Sequence, residues 1–140
     1  VRQFSEGISA FIQDIADHGH GDRVLLTVFS EFGRRVHENA SQGTDHGSGS
    51  VMMVLSGNAN GGKIYGKWPG LNSQNLQNGD LPVTTDYRRV IGEVLAKRHN
   101  SPSLDSVFPT VSYDPLGIVN GDDTGFGITA VANANMTSAA

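Results

Sequence analysis

Two short and almost purely apolar runs place the strongest constraint on what this chain can fold into. Residues 24–29 read VLLTVF and residues 51–55 read VMMVL. Neither run alternates apolar with polar side chains, and continuous apolar runs of this length are typical of strands buried on both faces of a parallel sheet. The sequence therefore predicts an α/β fold with a mostly parallel central sheet.

Amphipathic helices are predicted on either side of these runs, in residues 2–17 and 85–99. Large apolar side chains recur in both segments at helical spacing. The polar residues 84–86 can cap the second helix at its N-terminus, and the basic residues 97–99 suit its C-terminal end. Residues 110–113 are a candidate for a further short strand. The helices would flank the central sheet.

Polar segments make up most of the remaining chain. Residues 57–82 are rich in Gly, Asn, Gln and Lys, which predicts a long polar loop anchored to the core by Tyr65 and Trp68. Loops of this length are uncommon in compact domains and tend to be functional or partner-bound. Residues 117–140 are rich in Gly, Asn and Ala. We therefore predict one domain over residues 1–116 and an extended or partner-bound tail over residues 117–140.

Charge and composition argue against several kinds of function. The formal net charge of −4 leaves no basic stripe for a nucleic acid, so no such partner is expected. No apolar run approaches the ~20 residues that a transmembrane helix needs, so the chain is not expected to span a membrane. The sequence contains no cysteine, which excludes disulfides, thiolate metal ligands and cysteine nucleophiles.

The apolar runs need more covering surface than the predicted helices supply. Strands buried on both faces require neighbouring strands and helices on both sides, while the sequence predicts only two helices. We therefore expect the missing surface to come from an N-terminal part of the same protein or from another chain. An oligomer is expected for the same reason.

Candidate site residues cluster where the first apolar run ends. Glu31, Arg34 and Arg35 follow that run, and Asp45 and His46 lie in a glycine-rich loop before the second run. Ligand sites of open α/β sheets lie at the carboxyl ends of parallel strands. Two carboxylates and an imidazole can hold zinc, manganese, magnesium or calcium, and either arginine can pair with a substrate oxyanion.

A structural interpretation of the same residues stands beside this one. Glu31 and Arg34 can form a salt bridge that ties down the loop. Asp45 and His46 can shape the glycine-rich turn by hydrogen bonding to the local backbone. Isolated Asp-His pairs are common in turns, so the residue types alone leave both interpretations open.

Several ordered motifs resemble those of one known family. They occupy residues 25–34, 43–47, 61–66 and 68–71, and a later motif at residues 84–88 precedes a valine-rich helix. The chain resembles a bacterial family of uncharacterised exported proteins, domain of unknown function family 1501, which is placed in the alkaline phosphatase and sulfatase superfamily. The resemblance covers about residues 1–116. It implies export to the periplasm or the extracellular space, and it implies that these residues are the C-terminal portion of an alkaline-phosphatase-like α/β domain.

The resemblance also implies roles for the candidate residues. The strand that ends near Ser30 would carry an Asp-His metal-binding pair, with Glu31 here in place of the aspartate and Phe32 in place of the histidine. His46 falls near a later metal-binding histidine. A phenyl ring cannot coordinate a metal, so the resemblance does not transfer a complete two-metal site.

Two functions follow as expectations from this resemblance. The first is a phospho- or sulfo-ester hydrolase-like protein that uses a divalent metal, or a relative of one that has lost the activity. In such a site the metal would activate water or a nucleophile and stabilise charge on the transferring group. The alternative is a non-catalytic, secreted structural or interaction protein that retains the fold.

Overall fold

The computed structural model describes residues 2–99 and 103–121. The chain divides into two compact units, Val1–Tyr87 and Arg88–Ala140. It is a small α/β fold with two α-helices and two small antiparallel sheets. The part of the predicted tail that follows residue 121 lies outside the described residues. Within the described residues, no helix is both long enough and apolar enough to cross a membrane.

Helix α1 spans Arg2–Asp17, which confirms the predicted helix. It ends in a Schellman motif, in which the N–H groups of Gly19 and His20 donate to the carbonyls of Ala16 (2.9 Å) and Ile15 (2.8 Å). Gly19 has a φ of +70°, a conformation that glycine adopts without strain. No residue of α1 is buried, so its apolar stripe stays largely open to solvent.

The two apolar runs form strands that pair with each other. Strand β1 is Leu26–Phe29 and strand β4 is Met52–Leu55. They pair antiparallel, with Leu26 opposite Leu55 and Phe29 opposite Met52. The predicted parallel arrangement is therefore wrong for these strands, and no parallel pair occurs within residues 2–99 and 103–121.

The connection between the two strands explains their direction. Parallel neighbours require a crossover, which is usually a helix. Here the intervening chain instead folds back on itself through two short strands, β2 (Gly33–Arg34) and β3 (His46–Gly47), which pair antiparallel. The chain therefore re-enters β4 running against β1. An alkaline-phosphatase-like sheet is not supported by this arrangement.

Glycines allow the backbones around β2 and β3 to approach closely. A Cβ atom built on Gly33 would lie 1.8 Å from the carbonyl oxygen of Gly49, and one built on Gly47 would lie 2.7 Å from the backbone of Arg34. Gly49 in turn donates its N–H to the carbonyl of Leu81 at 2.8 Å. These contacts tie the β2–β3 pair to the end of the long polar loop.

The polar loop contains little regular structure. A single turn of 3-10 helix occupies Ser73–Asn75. Tyr65 is half-buried, and its hydroxyl donates to the carbonyl of Asn60 at 2.7 Å, a bond that joins the loop to itself and not to the core. Trp68 is 68% exposed, so the prediction that it anchors the loop to the core is wrong.

Helix α2 spans Tyr87–His99, two residues shorter at its N-terminus than predicted. Ala96 is fully buried and packs with Leu104, against which Phe108 and Tyr113 also pack. Residues 110–113 form no strand, contrary to the prediction. Thr110 has a φ of +70°, which interrupts the extended conformation that a strand needs.

Candidate functional site

Four of the five predicted site residues line one open cavity of about 610 Å³ in the first unit. The lining consists of Arg34, Arg35, Asn39, Thr44, Asp45, His46 and Asp80. Glu31 is exposed and does not contribute to the lining. The β2–β3 pair and the loop between its strands therefore bring together both arginines, one carboxylate and the imidazole that the sequence singled out.

Pairing of β2 with β3 places Arg34 directly opposite His46. Residues opposite each other in an antiparallel pair project from the same face, so the two side chains are neighbours. The ring of Phe32 stacks on the His46 imidazole, with 3.7 Å between the ring centroids and 30° between the planes. The Arg34 guanidinium carbon lies 5.3 Å from the Phe32 centroid. Phe32 thus orients both cavity residues.

The two arginines are engaged to different degrees. The Nη1 group of Arg34 donates to the carbonyl of Thr44 at 2.8 Å. Within residues 2–99 and 103–121, the Arg34 guanidinium makes no other hydrogen bond or ion pair, and neither ring nitrogen of His46 has a hydrogen-bond partner. Both residues are exposed, so these groups are open to a ligand.

Arg35 is held by the polar loop. Its Nε donates to Oδ1 of Asp80 at 3.0 Å, and its Nη2 donates to the carbonyl of Asn78 at 2.5 Å. The other carboxylate oxygen of Asp80 accepts from the Ser48 hydroxyl at 3.0 Å. Arg35 therefore joins the long polar loop to the β2–β3 pair.

Asp45 takes part in the structure of its own turn. Its Oδ1 accepts from the Asn39 amide at 2.8 Å, and its carbonyl accepts the Arg35 N–H at 3.0 Å. The Asn39 side-chain oxygen accepts from the N–H groups of Ser41 and Gly43, each at 3.0 Å. This network supports the turn-shaping interpretation for Asp45. No ion pair joins Glu31 to Arg34 in the part of the chain that the structure describes, so the salt-bridge expectation is wrong.

The donor set does not form a metal site by itself. Among the described residues, no group of three or more His, Asp or Glu side chains lies close enough to hold a metal ion. Asp45 and His46 are adjacent, but the Arg34 guanidinium, which has no carboxylate partner among the described residues, lines the same cavity and would repel a further cation. A metal at Glu31, Asp45 and His46 stays a prediction.

Sequence reasoning missed several residues that build the cavity. Residues 77–80 contain the Asn-Gly pair that is typical of a two-residue hairpin turn, so that turn was recognisable. The ion pair between Arg35 and Asp80 spans 45 positions, and no local pattern indicates it. Asn39 is a residue type that favours turns, but nothing in the sequence indicates that its side chain bonds Asp45.

A protein-family model matches the greater part of the chain. The model of a family described as "Protein of unknown function (DUF1501)" matches residues 1–99. The chain belongs to this family. The DUF1501 match includes all five candidate residues and ends at the last residue of α2. No curated protein and no solved structure matches the chain. The predicted family is thus confirmed, while its placement in the alkaline phosphatase superfamily stays a prediction.

Proposed function

We propose that this DUF1501 chain provides an oxyanion-binding surface to a phospho- or sulfo-ester hydrolase-like protein. The observation that carries the proposal is the pair formed by Arg34 and His46, which are neighbours across β2 and β3 and leave nitrogen atoms open at the cavity. The family resemblance supports the choice of ester, because it points to phosphate and sulfate chemistry. We also propose that the protein is exported to the periplasm or the extracellular space, as the family resemblance implies.

The chemistry of the pair suits a tetrahedral oxyanion. A guanidinium binds phosphate or sulfate oxygens through two parallel N–H donors, and such charge-assisted hydrogen bonds are about twice as strong as neutral ones. An imidazole adds a further N–H donor, and it carries a positive charge when it is protonated. The Thr44 carbonyl holds one edge of the Arg34 guanidinium, so less side-chain freedom is lost on binding.

The carboxylates of the cavity are already engaged. Asp80 accepts from Arg35 and Ser48, and Asp45 accepts from Asn39. Arg35 offsets the charge of Asp80, which lessens the repulsion that an incoming anion would meet. In this proposal Arg34 and His46 contact the anion, while Arg35 holds the loop in place.

Other parts of a hydrolase are not assigned to the described residues. We propose that a nucleophile and any divalent metal, whether zinc, manganese, magnesium or calcium, are held by groups from another region of the protein or from another chain. No catalytic step is assigned to a metal on these residues.

A non-catalytic structural or interaction role is the second candidate. It is favoured by the stacking of Phe32, which stands where the family pattern implies a metal-binding histidine, on His46. Large apolar side chains are also exposed on both strands of the β1–β4 sheet, including Phe29 at 59% and Met53 at 42%. Such surface is typical of a face that another protein covers.

Titration of the chain with inorganic phosphate and with sulfate tests the proposal. We expect Arg34→Gln to weaken binding about tenfold or more, because it removes a charged donor. Arg23→Gln is the matched control, since Arg23 is an exposed arginine outside the cavity. Equal weakening by both substitutions would indicate nonspecific charge attraction and would reject the oxyanion site.

Assay of the full-length protein separates the two candidate functions. A panel of phosphomonoester, phosphodiester and sulfate ester substrates should give turnover that falls in the Arg34→Gln variant. Anion binding without turnover of any ester, with and without added divalent metals, would reject the hydrolase reading and favour the non-catalytic role.

A further inference from the structure

An asparagine-glycine pair occupies a turn that Arg35 holds closed. Gln77 and Asp80 exchange both backbone hydrogen bonds, at 2.9 and 3.0 Å, so Asn78 and Gly79 form a two-residue hairpin loop. Their φ angles are +54° and +86°, as a type I′ turn requires at its two central positions. The Asn78 residue is exposed to solvent.

Asn-Gly pairs can undergo deamidation without any added reagent. The backbone nitrogen of Gly79 would attack Cγ of Asn78, forming an N–C bond while the Cγ–Nδ2 bond breaks. Ammonia leaves and takes up the proton of the Gly79 amide. Water then opens the five-membered imide at either carbonyl, which yields aspartate or isoaspartate at position 78. No electron transfer is involved.

The folded turn is in the wrong conformation for this ring closure. A five-membered imide needs the Gly79 nitrogen to eclipse Cβ of Asn78 about the Cα–C bond. In the left-handed conformation ψ is about +47°, which places that nitrogen nearly opposite Cβ. Deamidation therefore requires the turn to open, and its rate is proportional to the population of the opened state.

The Arg35 side chain resists that opening. Its Nη2 donates to the carbonyl of Asn78 at 2.5 Å, and its Nε donates to Asp80 at 3.0 Å. One guanidinium thus joins two residues of the turn. A Cβ built on Gly79 would lie 3.3 Å from the same Nη2, which shows how closely the guanidinium rests on the turn.

We propose that Asn78-Gly79 is a latent deamidation site whose rate is set by Arg35. The turn stays closed while the Arg35 guanidinium contacts it. Asn78 deamidates once that contact is broken and the turn opens. The product at position 78 is a carboxylate beside Arg35, and it competes with Asp80 for that guanidinium. This inference does not rest on the oxyanion site, because it concerns only Arg35 and the turn.

Peptide mapping by mass spectrometry after incubation at neutral pH tests this proposal. We expect Arg35→Gln to accelerate deamidation at Asn78 about tenfold or more, the factor that follows from losing hydrogen bonds of a charged donor. Asn60-Gly61 is the internal control, because it is a second Asn-Gly pair in the same unit. Its rate should not change.

Further variants keep the test decisive if Arg35→Gln folds poorly. Asp80→Asn removes a charged partner of Arg35 and should also accelerate the reaction at Asn78. Asn78→Gly should abolish the mass change at position 78, because it removes the reacting amide and tolerates positive φ. Unchanged rates at Asn78 in both the Arg35 and Asp80 variants would overturn the proposal, as would equal acceleration at Asn60.

Discussion

The Glu93 side chain is fully buried, with an exposure of 0%. Its Oε2 accepts the N–H groups of Leu116 (2.7 Å) and Gly117 (2.9 Å). Its Oε1 accepts the N–H of Val119 at 2.9 Å and the ammonium of Lys97 at 3.2 Å. The Glu93 carboxylate therefore fixes the backbone of residues 116–119. A buried charge is tolerated only when it is paired and hydrogen-bonded in this way.

Substitution of Glu93 should destabilise the second unit strongly. We expect Glu93→Ala to lower the free energy of unfolding by about 3–5 kcal/mol, because it leaves Lys97 and several backbone donors without their partner. Glu93→Gln should cost about 1–3 kcal/mol, since its NH₂ group would face an N–H donor. Urea unfolding and amide exchange at residues 116, 117 and 119 measure both effects.

The matched control for Glu93 is Glu38→Gln, which makes the same chemical change at an exposed glutamate. It should alter the free energy of unfolding by no more than about 0.5 kcal/mol. A Glu93→Gln variant that behaves like this control would contradict the role assigned to the buried carboxylate.

At the scale of elements, the β2–β3 pair depends on backbone contact more than on side-chain packing. Each strand contains only two residues, and the pair leads with Gly33 opposite Gly47. Gly33 is buried against the backbone of Gly49. The register that sets Arg34 beside His46 therefore relies on the absence of a side chain at position 33.

Gly33→Ala should disrupt this pair and the cavity together. The new Cβ would meet the Gly49 carbonyl oxygen at 1.8 Å, and a backbone atom cannot move aside as a flexible side chain does. We expect a loss of at least about 1–3 kcal/mol, the usual cost of overpacking. In NMR spectra the His46 ring protons should lose the ring-current shift that Phe32 imposes.

Gly7→Ala provides the comparison, because a Cβ at Gly7 meets no atom within 4 Å and the residue lies inside α1. That substitution should stabilise α1 by roughly 0.5–1 kcal/mol through its helix propensity. A Gly33→Ala variant with unchanged stability and unchanged His46 signals would show that β2 and β3 do not need this close approach.

At the scale of the whole molecule, buried apolar side chains are concentrated in one unit. The six in the described residues are Val90, Val94, Ala96, Leu104, Ile118 and Val119, all in the second unit. The first unit contains one buried residue in its described part, Gly33. Phe4 and Phe11 on α1 are 52% and 44% exposed. The helix and strands of the first unit thus lack the burial that stabilises most helices and strands.

Hydrogen exchange should reveal this difference between the units. Both helices satisfy their backbone N–H groups internally, so a difference in amide protection reports tertiary burial. We expect amides of α2 to be protected far more than those of α1, which should open at close to zero free energy cost. Exchange measured by mass spectrometry on the 140-residue chain tests this. Equal protection in the two helices would contradict the prediction.

The sequence by itself determined the elements whose signals are local. Helical periodicity gave α1 its bounds, Gly19 marked its end, and both apolar runs contain the strands that were predicted in them. The segment that holds Arg34 and His46 was recognisable from its residue types, but it was predicted as a loop and not as the paired strands β2 and β3. Each of these signals lies within a few consecutive residues, where backbone preference and side-chain spacing decide the outcome.

The tertiary structure decided what depends on distant residues. The strands pair antiparallel because the intervening chain folds back on itself, and nothing in their apolar runs encodes that direction. The Phe32 ring stacks on the His46 imidazole, and Arg35 pairs with Asp80, which lies 45 positions away in the sequence. These contacts form only once the glycines let separate backbones meet, so no pattern within a single segment could have revealed them.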